Sequence, residues 1–391
     1  MVSATPAMSS IAQLQELLDS GVQREFFPSA QAVVLHQGAL AFEGVAGDAH
    51  PTTLYDLASL TKVMCTTSVF MVLWAEGKVS LDSDLSIFFP KTPVARAQVS
   101  LGDLLYHRSG LPAFVPFFAP LMEAFPALFT KDCPPVIRTH VRNQVVEAAK
   151  STHADSRRVA AYSDVGFILL GEALAKVSGL PLDALYKEKV ARPLGFSSHF
   201  RRLSEPKPSS DPIAPTGATR PREPAPGQEN LWSIAPHPTF PGEVDDDNAW
   251  AMDGVGGHAG LFGTAADVAK FGQAVLEELD GAGKLAPKER WQLAVAVDSS
   301  TPGSTRALGF DTPPAPDVPL PSSAGKYIGR NAPGAVGHTG FTGVSLWIDL
   351  ARRLVVALCT NRTLQGRKEL GIRQFRPQFH DAVVENLGLT S

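Results

Sequence analysis

Apolar and polar positions along the chain change their spacing several times, and each change predicts an element. The segment from Met8 to Leu18 has helical spacing. Alternating segments follow at Gln31 to His36 and Ala39 to Gly44, and Gln37-Gly38 between them is a hairpin signal. The pattern therefore predicts an N-terminal helix that leads into a two-stranded hairpin.

A long apolar segment comes next. The residues from Val63 to Trp74 are apolar on most faces of a helix, and the run stops at Gly77. A helix that is apolar on most faces is buried, and glycine is favoured just beyond a helix C-terminus. We therefore expect a buried helix here, with Ser59-Leu60-Thr61-Lys62 at its start.

Helical periodicity and loops dominate the middle of the chain. The helices predicted there are Ser100 to Tyr106, Asp164 to Val177, one opened by Pro181, and one that begins with the capping-box pattern Thr264 to Asp267 and runs to Leu279. Two proline-rich stretches, Glu205 to Gly242 and Pro302 to Pro321, are long for loops in a compact domain. We expect them to cover or border a cleft, with disorder as the alternative.

Strand patterns return near the C-terminus. Val344 to Asp349 alternates, Leu354 to Cys359 is continuously apolar, and a last helix ends near Leu387. Strands at both ends around a helical middle predict an α/β (α+β) fold, with one sheet built from both chain termini and flanking helices. In this hypothesis residues 1–80 and 330–391 form the sheet subdomain, and residues 81–329 form a mainly helical insert with proline-rich loops.

Composition narrows the class of protein. The chain has 391 residues, 44% of them hydrophobic, and a formal net charge of −4 without a block of basic residues. These values are typical of a globular protein with a substantial core, and they provide no electrostatic footprint for a nucleic-acid partner. Met1 to Pro6 lacks the pattern of a signal peptide, and no apolar run is long enough to span a membrane. We therefore expect a cytoplasmic protein with no membrane partner. The sequence leaves the oligomeric state open.

No residue pattern predicts a metal or another cofactor. Histidines never pair at H-x-x-H or H-x-x-x-H spacing, no C-x-x-C occurs, and the three cysteines are predicted to be buried free thiols in a reducing compartment. Gly254 to Gly260 superficially matches a dinucleotide-binding loop, but no strand precedes it, so we interpret it as a loop lining a cleft. Asp245 to Asp247 is predicted to be solvated, with metal or ligand contact left open.

The candidate chemistry begins with Ser59 and Lys62. Residues three apart on a helix are neighbours, and a serine becomes nucleophilic when a nearby base takes its proton. The same S-x-x-K spacing occurs at Ser204 to Lys207 and at Ser323 to Lys326. Each of these two copies contains a helix breaker, so neither is expected to hold that geometry.

Two further segments supply possible partners for the serine. Tyr162 precedes the helix predicted from Asp164, where its hydroxyl can point into a cleft. The alternative is an interfacial tyrosine with Asp164 as the helix N-cap. His338-Thr339-Gly340 lies in a glycine-rich entry to a strand, which is typical of a backbone that approaches a ligand. The alternative there is a glycine-rich turn with one polar histidine.

These segments, in this order, resemble the motifs of the penicillin-recognising serine hydrolases. That family includes class C β-lactamases, D-alanyl-D-alanine carboxypeptidases, D-aminopeptidases and esterases, with S-x-x-K, Y-x-N and then K-T-G or H-x-G. Further stretches that resemble the family are Leu104 to Pro112, Tyr162 to Gly171, Pro193 to Gly195, Gly256 to Phe262 and Thr360 to Arg362. The resemblance implies a β-lactamase/transpeptidase-like catalytic domain with an antiparallel sheet.

The resemblance also implies roles for individual residues. Ser59 would be the nucleophile of an acyl-enzyme, and Lys62 with Tyr162 would share its proton as general base and then general acid. The backbone N–H groups of Ser59 and Phe341 would form the oxyanion hole. The other residues implied to bind substrate are His338, Thr339, Gly340 and Asp164.

Two departures from the family pattern change the expected substrate. Asp164 stands where asparagine is usual, so an anion that can hold Lys62 charged or attract a cation replaces an amide. His338 stands where lysine is usual in β-lactamases, so a fixed positive charge is lost near neutral pH. An alternative register reads Ser163-Asp164-Val165 as the S-D-N motif of class A enzymes, with Val165 for asparagine.

The favoured hypothesis is a serine hydrolase that acts on a small ester, an amide or a substrate containing a D-amino acid. A true β-lactamase or D,D-carboxypeptidase is the alternative enzyme. A non-catalytic binding or structural member of the same fold is the alternative from another class.

Overall fold

The computed structural model describes residues 7–156, 159–205, 212–240, 242–302, 304–314, 322–368 and 371–390. The strands in these ranges are β1 (Ser29–His36), β2 (Ala39–Gly47), β3 (Tyr55–Asp56), β4 (His199–Phe200), β5 (Thr219–Arg220), β6 (His237–Pro238), β7 (Leu261–Gly263), β8 (Ala335–Thr339), β9 (Ser345–Asp349) and β10 (Leu354–Thr360).

The α-helices in these ranges are α1 (Ala7–Gln23), α2 (Ser68–Ala75), α3 (Leu85–Phe88), α4 (Pro93–Arg96), α5 (Leu101–Leu105), α6 (Phe118–Ala124), α7 (Pro135–Lys150), α8 (Asp164–Ser178), α9 (Leu182–Tyr186), α10 (Arg192–Leu194), α11 (Asp247–Ala251), α12 (Ala265–Asp280), α13 (Lys288–Val295) and α14 (Gly371–Asn386). Two π-helical segments, Lys62–Thr67 and Lys187–Ala191, run directly into α2 and α10, and short 3-10 helices occupy Pro126–Phe129 and Arg362–Gln365.

A five-stranded antiparallel sheet is the centre of the fold. Its order is β2-β1-β10-β9-β8, so the middle strand comes from the C-terminal part of the chain and pairs with a strand from the N-terminal part. Every residue of β10 is buried, which explains why this strand has a continuous apolar run rather than an alternating pattern. The predicted antiparallel sheet from both chain termini is confirmed.

Helices cover both faces of this sheet. On one face, α1 and α14 bury a cluster that includes Leu18, Phe375 and Phe379 against β1 and β10. On the other face, α12 packs against β1, β9 and β10, and its predicted capping box is present, because Thr264 and Asp267 bond each other's backbone N–H groups. The helical region then continues from the α12 face.

The predicted buried helix lies at the centre of that helical region. Every residue from Leu60 to Leu73 is buried, and Gly77 follows the helix with a φ of 71°. The sequence pattern does not predict that its first turns are π-helical, over Lys62–Thr67. The hydroxyl groups of Thr66 and Ser68 donate to the carbonyl oxygens of Gly257 and Val63, which supplies hydrogen bonds where the helix is widened.

Some predicted features lie partly outside the described residues. Of the two other S-x-x-K copies, Pro206 and Lys207 are outside the described ranges, whereas Ser323 to Lys326 forms turns rather than a helix. The proline-rich stretches are also described only in part, and the first of them contributes β5 and β6. The short strands β3 to β7 were not predicted, because two or three residues are too few to show a period.

Membrane, metal and thiol features can be stated for the described part of the chain. No single helix there has both the length and the apolar character needed to cross a bilayer, although Asp164–Ser178 and Leu182–Leu194, bent by 75°, meet that requirement as a pair. The same ranges contain no group of three or more His, Cys, Asp or Glu side chains placed to hold a metal ion. Cys65, Cys133 and Cys359 are buried free thiols.

The glycine-rich loop before β7 packs directly on the backbone of α8. A Cβ atom on Gly257 would lie 2.2 Å from the carbonyl oxygen of Phe167, so Gly257→Ala forces these backbones apart. We expect a loss of about 1–3 kcal/mol in the free energy of unfolding, measured by urea denaturation. Gly166→Ala, in the same helix, is the matched control, since its Cβ would meet nothing closer than 3.4 Å. Equal effects of the two substitutions would contradict this account.

Candidate active site

Ser59 sits immediately before the buried helix, on a tight turn. The preceding residue, Ala58, has a φ of 45°, a left-handed conformation that costs a non-glycine residue about 1 kcal/mol. The carboxylate of Asp56 holds the turn by accepting the Ala58 N–H at 2.8 Å. Asp56 also accepts the Asp245 N–H at 2.6 Å, and burial raises the pKa of its carboxyl group to about 7. The turn therefore presents the serine in a fixed position.

The Ser59 hydroxyl lies between an amine and a phenol. Lys62 Nζ donates to Ser59 Oγ at 3.0 Å, and the Tyr162 hydroxyl donates to the same oxygen at 2.8 Å. These two contacts bring together the first two sequence motifs, which are 103 residues apart along the chain. The three predicted catalytic side chains therefore meet at one atom.

Lys62 is fully buried, and its ammonium group contacts three oxygen atoms of the protein. Besides Ser59 Oγ, these are the carbonyl oxygen of His258 at 2.9 Å and, in an ion pair, Asp164 Oδ1 at 2.7 Å. Burial by itself lowers the pKa of Lys62, but the neighbouring Asp164 carboxylate outweighs it, together with Tyr162, so the pKa is raised above its ordinary value. In this arrangement Lys62 is an ammonium group at neutral pH.

Tyr162 is held by a buried histidine. The rings of His107 and Tyr162 have centroids 4.7 Å apart, and His107 Nδ1 accepts the Ser163 N–H at 3.0 Å. Burial keeps His107 neutral by placing its pKa well below the ordinary value, so this nitrogen can act as an acceptor. Burial also raises the pKa of Tyr162, while the positive charge of Lys62 acts in the opposite direction. His107 thus orders the second motif without contacting Ser59.

Ser163, and not Asp164, is the N-cap of α8. Its Oγ accepts the Gly166 N–H at 3.0 Å and donates to the carbonyl oxygen of Pro112 at 2.7 Å. The alternative in which Asp164 caps the helix is therefore wrong, because Asp164 instead pairs with Lys62. In the class A register Ser163 would stand beside the nucleophile, but the structure brings Tyr162 there instead.

The third motif lies at the end of β8, beside Tyr162. His338 is buried, its Nδ1 lies 2.7 Å from the carbonyl oxygen of Thr339, and its ring centroid is 5.8 Å from that of Tyr162. Burial lowers the pKa of His338 to about 3, assisted by the positive charges of Lys62 and Arg306, so the ring is neutral. The half-buried Thr339 ends the strand. A Cβ atom on Gly340 would meet the Leu57 carbonyl oxygen at 2.9 Å, so the strand end and the Ser59 turn approach closely.

The turn after this strand presents a free backbone N–H group at Phe341. Among the described residues, the backbone N–H groups of Phe341 and Ser59 donate no hydrogen bond, as an oxyanion hole requires. The buried Arg376 of α14 holds the turn through the carbonyl oxygens of Gly340 at 2.5 Å, Val344 at 2.8 Å and Gly343 at 3.2 Å.

These groups open into a cavity of about 150 Å³. The residues that line it are Ala58, Ser59, Phe114, Tyr162, Asp164, Ala225, Gln228, Asp245, Asp246, His258, Ala259, Phe341 and Arg367. The first proline-rich stretch contributes Ala225 and Gln228, and the glycine-rich loop contributes His258 and Ala259. Both segments thus border the cleft.

The prediction that Asp245 to Asp247 is solvated is wrong. Asp245 lies 2.9 Å from Arg367 Nη2 and 3.3 Å from Arg222 Nε, and Asp247 lies 2.5 Å from Arg220 Nη1. Asp246 caps α11 through the Ala249 N–H and lies 2.9 Å from His258 Nε2. Asp245 and Asp246 line the cavity rather than lying in a solvent-exposed loop. Arginines from two distant segments pair with Asp245 and Asp247, and His258 contacts Asp246.

Sequence reasoning missed several residues of the site. His258 lies in a stretch that resembles the family, but no role was assigned to it. Arg376 is in no recognised motif, and Arg367 follows a loop without periodicity. The glycine-rich loop did signal a cleft, but nothing in it showed that the carbonyl oxygen of His258 would bind Lys62. The one usable signal for Asp246 was the acidic run itself.

Comparison with known proteins gives consistent results. A family model described as Beta-lactamase matches residues 14–376. A protein of Escherichia coli strain K12, provisionally named a D-alanyl-D-alanine carboxypeptidase, is 30% identical over 330 residues, covering 79% of this chain and 69% of that protein. The N-acetylmuramyl-L-alanine amidase of Bacillus subtilis strain 168 is 27% identical over 392 residues, covering 93% and 84% of the two chains.

A solved structure also shares the fold. A class C beta-lactamase mutant superposes with a TM-score of 0.67 at 16% identity, covering 98% of this chain and 99% of that chain. At this level of identity the likeness shows the fold alone.

The two registers of the second motif predict different mutants. Tyr162→Phe removes the hydroxyl that contacts Ser59 Oγ, so we expect kcat to fall by about 100-fold or more. Ser163→Ala removes an N-cap, so we expect a loss of about 1 kcal/mol in unfolding free energy with turnover largely retained. Ester hydrolysis and thermal unfolding measure the two effects. The class A register predicts the reverse order of activity losses.

The Lys62–Asp164 pair predicts an unusual pH profile. A general base must be unprotonated, and Asp164 raises the pKa of Lys62, so kcat/KM should rise with increasing pH above neutrality. Asp164→Asn removes the carboxylate, lowers the pKa of Lys62 and should move this rise to lower pH. Kinetics of wild type and variant across pH would test it, with Asp280→Asn, which disrupts an exposed ion pair with Arg353, as control. An unmoved profile would show that Lys62 does not set the rise.

Proposed function

The chain belongs to the beta-lactamase family of serine hydrolases, and we propose that it hydrolyses a small ester, an amide or a substrate containing a D-amino acid through an acyl-enzyme at Ser59. The observation that carries this proposal is the placement of Ser59 Oγ within hydrogen-bond distance of both Lys62 Nζ and the Tyr162 hydroxyl. A nucleophile and its proton acceptors must be in such contact for acyl transfer. A binding module needs no such arrangement.

In the first half of the reaction, Ser59 Oγ forms a bond to the substrate carbonyl carbon. The serine proton passes to the Lys62 and Tyr162 pair, and the N–H groups of Ser59 and Phe341 stabilise the oxyanion of the tetrahedral intermediate. The bond to the leaving group then breaks, and Tyr162 or Lys62 returns the proton to the departing oxygen or nitrogen. Each oxyanion donor is worth about 3–4 kcal/mol. A water molecule then gives a proton to the same pair and attacks the acyl carbon, the bond from that carbon to Ser59 Oγ breaks, and Ser59 regains its proton as the acid is released.

The resting state of the site requires one proton transfer before attack. Lys62 is charged and Tyr162 carries its proton, so both donate to Ser59 Oγ and neither can accept. Asp164, 2.7 Å from the ammonium, opposes the loss of that proton because it raises the pKa of Lys62. Loss of the proton leaves Lys62 as an amine base, so the fraction of enzyme with a usable base grows as the pH rises.

A D-alanyl-D-alanine carboxypeptidase or β-lactamase activity is the second candidate. It is supported by the name of the Escherichia coli relative. Such substrates carry a carboxylate, and His338 is neutral where a fixed positive charge would hold it. We therefore favour substrates without that requirement.

The buried free thiols support the cytoplasmic location predicted from the sequence.

A labelling experiment tests the role of Ser59. Wild-type protein treated with a fluorophosphonate probe should be modified on Ser59, as located by peptide mass spectrometry, and should hydrolyse p-nitrophenyl esters. Ser59→Ala should lose both properties and remain folded, although it removes one acceptor of Lys62. Ser163→Ala is the matched serine control and should still be labelled. Hydrolysis that survives Ser59→Ala would overturn the proposal, and a wild-type protein that resists the probe would favour a binding function.

A further inference from the structure

The two N–H donors of the proposed oxyanion hole come from distant parts of the chain. Ser59 follows strand β3, whereas Phe341 lies in the turn between β8 and β9. An oxyanion hole is effective when its donors already lie where the charge develops, because no reorganisation is then needed at the moment of reaction. A contact between the two segments is therefore required to hold one donor in place relative to the other.

Asp56 makes hydrogen bonds to both segments. Its Oδ1 accepts the Ala58 N–H at 2.8 Å, which closes the turn that leads into Ser59. Its main-chain carbonyl oxygen accepts a hydrogen bond at 2.7 Å from the hydroxyl of Thr342, the residue that follows Phe341. Asp56 and Thr342 are both buried, at 2% and 1% exposure. One buried residue thus connects the immediate neighbours of both N–H donors.

The Asp56 carboxylate is itself held on both oxygens. Oδ2 accepts the Asp245 N–H at 2.6 Å, while Oδ1 binds Ala58, and the backbone of Asp56 pairs with Phe262 of β7. Burial, together with the charges of Asp245 and Asp246, raises the pKa of this carboxyl group to about 7, and the two N–H groups oppose that shift. These hydrogen bonds keep the carboxylate in one orientation despite the cost of burying its charge.

Other contacts of the Phe341 turn lead elsewhere in the fold. Arg376 binds its carbonyl oxygens from α14, and the Thr360 hydroxyl of β10 donates to the carbonyl oxygen of Thr342 at 3.0 Å. These bonds fix the shape of the turn and its place on the central sheet. The bond from the Thr342 hydroxyl to Asp56, by contrast, reaches the segment that carries the nucleophile.

We propose that Asp56 is a positioning residue of the oxyanion hole, whose carboxylate orients the Ser59 N–H and whose carbonyl oxygen fixes the place of the Phe341 N–H. This inference rests on the proposed function of Ser59. Asp56 touches none of the reacting atoms and acts through Ala58 and Thr342. Donors that contact the oxyanion stabilise the transition state more than the bound substrate, so loss of either link should lower kcat and change KM little.

Thr342→Val tests the link through the carbonyl oxygen, because it removes the hydroxyl and keeps the shape of the side chain. A whole oxyanion donor is worth about 10²–10³ in kcat, so a displaced donor should cost about tenfold, with KM for a p-nitrophenyl ester within about twofold. Thr360→Val is the matched control, since it removes a buried hydroxyl bond of the same turn that leads to β10. It should lower kcat by less than about threefold.

Asp56→Asn tests the link through the carboxylate. The amide keeps one acceptor oxygen but turns an NH₂ group toward the second N–H, so one of the two hydrogen bonds is lost. We expect kcat to fall by about tenfold here as well, again with little change in KM.

A thionoester of the same substrate distinguishes a displaced oxyanion hole from a general loss of structure. Sulfur is a weaker hydrogen-bond acceptor than oxygen, so the N–H donors assist the ester more than the thionoester. The ratio of ester to thionoester turnover should fall by about tenfold in Thr342→Val and Asp56→Asn and stay at the wild-type value in Thr360→Val. A smaller folded fraction would lower both activities equally and leave the ratio unchanged.

The outcomes separate this inference from the proposed function. Fluorophosphonate labelling of Ser59 in the wild type, with an unchanged turnover ratio in Thr342→Val and Asp56→Asn, would overturn the role of Asp56 and leave the serine hydrolase intact. Equal losses of kcat in Thr342→Val and Thr360→Val would overturn it too. Absence of labelling in the wild type would overturn the hydrolase proposal itself. If Asp56→Asn does not fold, Thr342→Val still decides the question, because it breaks one link without altering Asp56.

Discussion

The burial of one ammonium group organises the centre of this molecule. Lys62 has no solvent contact, so each of its three N–H donors needs a protein acceptor, and an unmet donor on a buried charge is costly. The acceptors come from the Ser59 turn, the first turn of α8 and the glycine-rich loop before β7. One side chain thereby fixes the relative positions of three segments that are distant in sequence. The geometry of the nucleophile follows from this requirement.

The same constraint explains the unusual second motif. An asparagine at position 164 would leave Lys62 with a weaker acceptor, whereas Asp164 gives it a full counter-charge and keeps it protonated. The site is therefore stable and unreactive at rest. Substrate binding and proton movement must restore an unprotonated base, so the residue that stabilises the lysine also slows its use. The ion pair of Lys62 with Asp164 thus stabilises the folded site and at the same time lowers its reactivity.

Local patterns predicted strands β1, β2, β9 and β10 and the buried helix, and they marked Ser59 and Lys62 as candidates, but they did not predict the short strands β3 to β7. The continuous apolar run of β10 and the capping box of α12 are signals within a few residues, and both predictions are confirmed. The buried helix after Ser59 is also present, but its first turns are π-helical. The environment of Asp245 to Asp247 was not predictable, because a run of acids looks the same whether water or three distant arginines neutralise it. Likewise, the carbonyl oxygen of His258 is a backbone atom, which no sequence pattern marks.

The hydrogen bonds from Arg376 to the turn at Gly340 to Val344 affect when, during synthesis of the chain, the site can assemble. The nucleophile is made early, but the N–H group that faces its reaction is fixed by a side chain more than 300 residues later. The central strand β10 is also a late segment, and it must insert beside β1. A nascent chain that already carries Ser59, Lys62 and Tyr162 therefore lacks the arginine that holds the proposed oxyanion site. That site is complete only after α14 has folded.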